Sequence, residues 1–392
     1  FLDQQRMVRR VREINQPLNA EGADKAYLKN RSQVSSMMSA GGSLNAQQKK
    51  LIEGAFAYKL FQMTDPTFAA SPGDVRNLMT EVHRELNTAG KFQANPASLQ
   101  RFREGVCEIV HPLLMQMMNN NLDARLFAIG LLSDLQLIQP TGNTGRTVLY
   151  DPVYKSLTDL LQNPQQPDAV RAFVAAEIRE ILGRVDVSPT QQIQLAMGLA
   201  SELRRPYTAA AYQEELIEAL SYVSAPREIV GAGAKSPVVL QVLAEVVSDR
   251  QRNLIVRCHA AFGLGRAGYD SGVNFEPLAW KVSQLAVEVA VQYNRSPRAP
   301  GWSQCGYHLF GAYKHLNADG LKGNNKQGML NRAPGSTLAN DAYQQVLKIC
   351  APIWFNPGRA IPTADLNAAA KWVNDNTPAD LKWDAAAPAL TK

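Results

Sequence analysis

The sequence has few of the residue patterns that mark catalytic or metal-binding proteins. It contains only four cysteines, Cys107, Cys258, Cys305 and Cys350, which are far apart and include no CxxC pair, the spacing typical of zinc and redox motifs. The HExxH pattern of metalloproteases and the GxSxG pattern of serine hydrolases are also missing. We therefore predict a protein that has no catalytic activity and needs no metal or cofactor.

Long apolar runs and strand-like alternation are missing as well. No uninterrupted apolar stretch approaches the roughly 20 residues that a helix needs to span a bilayer. No segment alternates apolar and polar residues in the way a half-buried strand does. Because 45% of the residues are hydrophobic, the chain can still bury a large core. These features predict a soluble, all-α protein with no membrane span.

The positive charge of the chain is concentrated at its beginning. The formal net charge is +6, and residues 1–50 hold nine Lys and Arg against four Asp and Glu. We interpret residues 1–45 as a basic arm or irregular lead-in, which can attract anions. Because the chain opens with Phe1 instead of Met, we interpret it either as a processed form, extracytoplasmic after removal of a leader, or as a fragment of a longer chain. The sequence leaves the compartment open.

Four times along the chain, an N-capping type of side chain comes directly before a proline. The four pairs are Asn95-Pro96, Asp151-Pro152, Ser188-Pro189 and Ser236-Pro237. The first side chain suits the N-cap of a helix, and proline suits its first turn. An apolar helical pattern follows each pair, then a polar turn or break, then a second helical pattern. We therefore predict a series of helix hairpins.

A short phrase recurs in the second helices of these hairpins. It is an Arg followed one helical turn later by an Ala on an apolar face, and it occurs in residues 123–132, 168–178 and 254–264. Arg125 and Arg171 are 46 residues apart, and Arg171 and Arg257 are 86 apart, which is two steps of 43. A period in this range is typical of stacked helical repeats, which present a surface for binding.

On these residues the chain resembles the HEAT and armadillo class of α-solenoids. The resemblance rests on the opening proline of each first helix and on the Arg, Ala and Leu of each second helix, and it covers about residues 95–316. It implies stacked antiparallel hairpins with a concave face. In that family the Asp and Arg tie one repeat to the next, so the resemblance implies a repeat-stacking role for Arg125, Arg171 and Arg257.

Two hairpins depart from the phrase. The hairpin that ends at Val223 lacks the Arg, and the predicted helix 302–316 has Gln304 and Cys305 where the phrase would begin. The sequence does not distinguish HEAT from armadillo repeats. Together the patterns predict four parts, which are a lead-in (1–45), a HEAT-like array (46–316), a long polar loop (317–337) and closing helices with a tail (338–392).

Two glycine-rich segments resemble phosphate-binding motifs only superficially. Residues 263–268 match GxGxxG, but a dinucleotide fingerprint opens a helix after a strand, whereas this one closes a helix. We interpret it as a glycine-rich helix C-cap. Residues 231–236 resemble a P-loop, but Ala234 and Ile229 stand where glycines belong.

The histidines are spaced unfavourably for a metal site. Cys305, His308 and His315 fall on one side of a helix, but their offsets spread them along the axis, so only adjacent pairs could share an ion. His83 lies between two glutamates that point to other faces of a helix, which predicts a solvated surface. His259 lies on the apolar face of a repeat, where a hydrogen-bonded core imidazole is expected.

The leading hypothesis is a non-catalytic scaffold that binds a protein partner or a second copy of itself. Alternatives are a nucleic-acid-binding array and a repeat-type enzyme or lyase. Interfaces of this type use aromatic and Arg anchors, so we take four aromatic residues as candidate anchors. The basic residues of the arm and of the long loop are candidate contacts for an anion or a docking partner. The candidate binding residues are Arg6, Arg9, Arg10, Arg12, Trp280, Trp302, Tyr307, Lys322, Lys326, Arg332 and Trp354.

Overall fold

A computed structural model shows that the protein is built almost entirely of helices. It describes residues 17–18, 23–139, 147–205, 208–224, 237–268, 273–314, 328–332 and 335–378. In these ranges it has 17 α-helices and is 74% helical, which confirms the prediction of an all-α fold. Among the described residues, no helix is both long and apolar enough to cross a membrane.

The chain forms two compact units, residues 1–188 and 189–392, so the predicted array (46–316) contributes helices to both. The first unit contains eight helices in its described residues, together with a 3-10 turn at Gln62–Thr64 and two short strands. The helices are α1 (Ala23–Ala40), α2 (Ala46–Phe61), α3 (Pro66–Ala69), α4 (Pro72–Asn87), α5 (Pro96–Met117), α6 (Leu122–Leu132), α7 (Pro152–Gln162) and α8 (Asp168–Arg184), and the strands are β1 (Gln136–Ile138) and β2 (Val148–Leu149).

The second unit is helical throughout its described residues. Its helices are α9 (Pro189–Leu203), α10 (Ala210–Ser221), α11 (Val238–Ser248), α12 (Leu254–Arg266), α13 (Glu276–Arg295), α14 (Trp302–Tyr313), α15 (Met329–Arg332), α16 (Thr337–Phe355) and α17 (Thr363–Asp375).

The prediction of an irregular lead-in was wrong for residues 23–40, which form α1. Its buried positions are Tyr27, Val34 and Met38, which lie on one helical face because their spacings of seven and four residues are both close to whole turns. Tyr27 stacks on Tyr58 of α2 with ring centroids 4.9 Å apart. Three apolar residues spread over a mostly polar segment give only a weak helical pattern, which is why the helix was not predicted. Residues 1–16 lie outside the described part of the chain.

In the second unit, the helices contact one another in a repeating order. The pairs α9–α10, α11–α12 and α13–α14 each pack together. The first helices also contact each other in succession, from α9 to α11 to α13, as do the second helices, from α10 to α12 to α14. Helix α16 then packs on α13 and α14, and α17 packs on α13 and α16.

Part of the same order is present in the first unit. Helix α5 packs on α6, α7 packs on α8, and the two second helices, α6 and α8, contact each other. Asn95 caps α5 by accepting a hydrogen bond from the backbone nitrogen of Ser98 at 3.0 Å, which confirms the helix start predicted at Asn95-Pro96. Strands β1 and β2 pair antiparallel between α6 and α7.

The glycine-rich segment 263–268 closes α12 as predicted, but its glycines serve close packing and none of them has the positive φ of a glycine C-cap. Gly263 and Gly265 lie inside α12, and Gly268, which follows the C-cap residue Ala267, does not have a positive φ. A Cβ atom on Gly265 would come within 2.5 Å of the carbonyl oxygen of Ala312 in α14, and one on Gly268 would come within 2.6 Å of the Cα of Ser224. Only glycine allows backbones to approach this closely.

Gly328, the first described residue after residues 315–327, lies close to Tyr313 and to the end of α12. The amide of Gly328 donates to the carbonyl oxygen of Gly265 at 2.7 Å. Gly328 has φ +92, and a Cβ atom there would lie 2.5 Å from the carbonyl oxygen of Tyr313. The predicted loop 317–337 also contains the short helix α15, while residues 317–327 lie outside the described part.

Candidate partner-binding site and the contacts that position it

Arg125, the fourth residue of α6, connects two successive helix pairs. Its side chain is buried, and its Nε donates to the carbonyl oxygen of Asn120 at 2.6 Å while its Nη1 donates to Oε1 of Gln166 at 2.9 Å. Gln166 belongs to the turn between α7 and α8, and its amide nitrogen donates to the carbonyl oxygen of Met118 at 3.0 Å. These bonds hold the α5–α6 turn against the α7–α8 turn.

Arg257, the fourth residue of α12, makes the corresponding contacts in the second unit. Its Nε donates to the carbonyl oxygen of Val247 at the end of α11, at 3.0 Å. Its Nη2 lies 2.8 Å from Oε2 of Glu288 on α13, so one guanidinium joins one helix pair to the next. Arg171 is also the fourth residue of its helix, α8, where it pairs with Asp168 of the same first turn.

The hairpin without the Arg uses a donor from its neighbour instead. The fourth residue of α10 is Gln213, and Nη1 of Arg252, in the turn between α11 and α12, donates to its Oε1 at 2.7 Å. Nη2 of Arg252 also donates to the carbonyl oxygen of Leu203 at the end of α9, at 2.8 Å. A hydrogen bond therefore joins these two helix pairs as well, but here the fourth residue of the second helix accepts the bond and the arginine of the following turn donates it.

Two histidines, an arginine and a glutamate form a polar cluster on α10, α12 and α14. Nε2 of His259 lies 2.9 Å from one carboxylate oxygen of Glu218, and Nη1 of Arg266 donates to the other at 2.8 Å. The imidazole of His308 stacks on that of His259, with centroids 4.5 Å apart. Burial, together with the neighbouring His259, lowers the pKa of His308 to about 3, so this imidazole is neutral at physiological pH.

The cysteines that appear scattered in the sequence are partly brought together. Cys258, Cys305 and Cys350 come from α12, α14 and α16, and the thiols of Cys258 and Cys305 share a hydrogen bond. Burial raises the pKa of Cys258 and Cys350 well above that of a free thiol, which keeps them protonated and unreactive. Within the described ranges, no group of three His, Cys, Asp or Glu could hold a metal ion. His315 lies outside these ranges.

A second group of titratable side chains lies in the first unit. Nδ1 of the exposed His83 on α4 lies 2.6 Å from Oδ2 of Asp134, which follows α6. Glu177 on α8 hydrogen-bonds Ser133, and burial, with the charges of Glu180 and Asp134, raises the pKa of Glu177 to about 7. The expectation of a purely solvated His83 was therefore incomplete, because the imidazole has a fixed carboxylate partner.

The structure places the four candidate aromatic anchors in different surroundings. Trp280 is only 6% exposed, and its indole nitrogen donates to the carbonyl oxygen of Val373 at 2.8 Å. It is a core residue that a partner cannot reach, so its assignment as an anchor was wrong. Its position on the long apolar helix α13 explains the burial, because that helix packs against five other helices in the described part of the unit.

The other three candidate anchors lie around α14 and are half-buried. Tyr307 packs against Phe262 of α12, with ring centroids 5.6 Å apart. Trp302 donates from its indole nitrogen to the carbonyl oxygen of Ser296 at 2.8 Å. Trp354 of α16 lies edge-on to Phe310 of α14 at 5.1 Å. All three present part of an aromatic ring at the surface of the second unit.

The residue next to Trp354 is the most exposed large apolar side chain of the described chain. Phe355, the last residue of α16, is 79% exposed. We name Trp302, Phe310, Trp354 and Phe355 the aromatic edge of α14 and α16. Phe355 was not among the predicted anchors. Its signal in the sequence is an aromatic pair directly before Asn356-Pro357, where the helix ends.

The candidate basic contacts lie almost entirely outside the described part of the chain. This applies to Arg6, Arg9, Arg10 and Arg12, to Lys322 and Lys326, and to the P-loop-like residues 231–236. Arg332 is the last residue of α15. No protein-family model and no curated protein sequence matches the chain.

Proposed function

We propose that the protein is a non-catalytic scaffold whose helix pairs form a HEAT-like solenoid that binds a protein partner. The order of contacts supports this proposal, since α9, α11 and α13 pack in succession, as do α10, α12 and α14. Such an array exposes helix faces that have no further helix to cover them. The bridges made by Arg125, Arg252 and Arg257 support it further, because they hold neighbouring helix pairs in fixed register.

We place the partner-binding surface at the aromatic edge of α14 and α16. Aromatic side chains dominate the energetics of protein interfaces because each buries a large area with few rotatable bonds. Trp354 is held in place by Phe310 and by a hydrogen bond of 3.3 Å to the carbonyl oxygen of Ser303. Phe355 beside it is 79% exposed. The fixed ring of Trp354 therefore lies next to the exposed ring of Phe355, an arrangement that suits the binding of a partner's apolar side chain.

The proposal can be tested by capturing the partner and then rebuilding the complex from purified proteins. The intact chain would be immobilised, bound proteins from the native source identified, and the affinity of the purified partner measured by calorimetry. We expect Phe355→Ala to weaken binding at least about tenfold, the loss typical of an interface anchor. The matched control is Met197→Ala, which removes an exposed apolar side chain from α9 of the same unit, outside the aromatic edge.

Two results would contradict the proposal in different ways. If the wild-type chain is monomeric and binds no protein specifically, the scaffold function is wrong. If a partner binds but tolerates Phe355→Ala and Trp354→Ala as well as it tolerates Met197→Ala, the function stands and its location at the aromatic edge is wrong.

A further inference from the structure

A shallow concavity of about 740 Å³ lies on the outer face of α1, in the first unit. It is lined by Lys29, Arg31, Phe92 and the four serines of α1 between residues 32 and 39. Three of these serines, with Lys29 and Arg31, are exposed, and the opposite face of α1 packs on α2 through Tyr27. Hydroxyls and cations therefore share one side of the helix, with an aromatic ring at its end.

The aromatic ring of this concavity is presented by a rigid backbone. Gly90 donates to the carbonyl oxygen of Met38 at 2.7 Å, and Phe92 donates to that of Ser39 at 3.1 Å. These bonds fix the turn before α5 to the last turn of α1. The ring of Phe92 is nevertheless 73% exposed, although folding could have buried it at little cost in chain entropy because its backbone is already ordered.

The position of Phe92 relative to α1 is also fixed by a close contact between two backbone segments. Gly41 and Gly90 both have positive φ, +71 and +72, and a Cβ atom on Gly41 would lie 2.7 Å from the Cα of Gly90. The side-chain nitrogen of Gln93 adds a bond of 3.0 Å to the carbonyl oxygen of Gly41. The exposed ring is thus held in one place relative to the serines and cations of α1.

The electrostatics of the concavity favour an acidic ligand. None of the residues that line it is acidic, and the ammonium group of Lys91 lies 4.8 Å from the centroid of the Phe92 ring, which adds a third cation. Arg31 approaches a carboxylate, Glu81, only at 3.9 Å and keeps 67% of its side chain exposed. Residues 1–16 carry four Arg against two acids, so the chain's own beginning has the wrong sign to be the occupant.

The chemistry of the lining favours a peptide over a nucleic acid. Lys29 to Ala40 extends about 16 Å along the helix axis, which is the length of about five extended residues. Serine hydroxyls both donate and accept hydrogen bonds, so they suit a peptide backbone, whereas phosphate oxygens only accept. Binding of single-stranded nucleic acid uses successive aromatic platforms, and this surface offers only Phe92.

We propose that the concavity of α1 binds a short acidic peptide segment of a partner protein, with one apolar or aromatic side chain of that segment packed on Phe92. Lys29, Arg31 and Lys91 bind its carboxylates, and the serines bind its backbone. This site is separate from the aromatic edge of α14 and α16, so it adds a second, charge-selective contact to the proposed scaffold function.

The test uses the full chain and a fluorescein-labelled peptide of sequence EDEWED, with binding followed by fluorescence anisotropy at low salt. We expect saturable binding that weakens as salt is added. Lys29→Glu should lower the affinity about tenfold, because it turns an attraction into a repulsion. Phe92→Ala should lower it about threefold or more. Both side chains are exposed, so the melting temperature should not change.

Matched controls make each outcome decisive. Lys155→Glu reverses an exposed charge on α7, and Met197→Ala removes an exposed apolar side chain from α9. Both variants should bind the peptide as the wild type does. The proposal is wrong if EDEWED does not bind, if the neutral peptide QNQWQN binds equally well, or if Lys155→Glu weakens binding as much as Lys29→Glu. Tighter binding of labelled hexathymidylate, lost in Lys29→Glu, would identify a nucleic-acid surface instead. None of these outcomes bears on the aromatic edge.

Discussion

Glu177 carries an electrostatic cost that a single substitution can remove. Its carboxyl group is half-buried on α8, close to Asp134 and Glu180, and its pKa is raised to about 7 by burial and by those charges. An ordinary Glu titrates near pH 4.5. The folded protein therefore holds the proton more tightly than the unfolded chain, and the free energy of unfolding falls as the pH rises from about 4.5 to about 7.

We expect Glu177→Gln to stabilise the protein at pH 8 by about 1 to 3 kcal/mol, since each unit of pKa shift corresponds to about 1.4 kcal/mol. The gain should shrink toward zero at pH 4, where the wild-type carboxyl group is protonated in the folded state and mostly protonated in the unfolded chain. Urea unfolding at the two pH values measures it. Glu104→Gln, at an exposed position of α5, is the control. A gain that is equal at both pH values would show that the charge of Glu177 is not its cause.

At the scale of the helices, two arginines contact the same carboxylate from very different surroundings. The side chain of Arg257 is 6% exposed and that of Arg250 is 72% exposed, yet both lie within 2.9 Å of an oxygen of Glu288 on α13. A buried charge pair is expensive to break, because the partner is left desolvated. An exposed pair contributes little because water screens it.

We expect Arg257→Ala to lower the free energy of unfolding by about 3 kcal/mol and Arg250→Ala to lower it by less than about 1 kcal/mol. Chemical denaturation of the two variants under identical conditions provides the comparison. Equal losses would mean that the bridge from α12 to α13 is not what stabilises the stacking of these pairs.

Helix starts can be predicted from the sequence where they depend on a local rule. Asn95-Pro96 marks a helix start because capping and proline geometry depend only on neighbouring residues. The bridge at Gln213 could not be predicted, because its donor, Arg252, comes from the next turn along the chain and reverses the roles of the phrase. Helix α1 was missed because three spaced apolar residues leave almost no signal. The exposure of Phe92 and Phe355 depends on long-range packing, which no local pattern encodes.

At the scale of the whole chain, two units each have a buried core of their own. Units of this kind open as separate cooperative blocks when most contacts lie within each block. We expect calorimetry to resolve two transitions, with Arg125→Ala lowering the temperature of one and Arg257→Ala lowering that of the other. A single transition that both substitutions shift equally would show that the chain unfolds as one block.

The position of Gly328 identifies a site where another domain can be inserted into the chain. Gly328 packs against the carbonyl oxygen of Tyr313 and donates a hydrogen bond to that of Gly265. The residues that come directly before and after residues 315–327 are therefore close together in space. The entropy of closing a loop grows only slowly with its length. We expect that a fluorescent protein or affinity tag whose two ends lie close together can be inserted between residues 314 and 328 without separating α12 from α14.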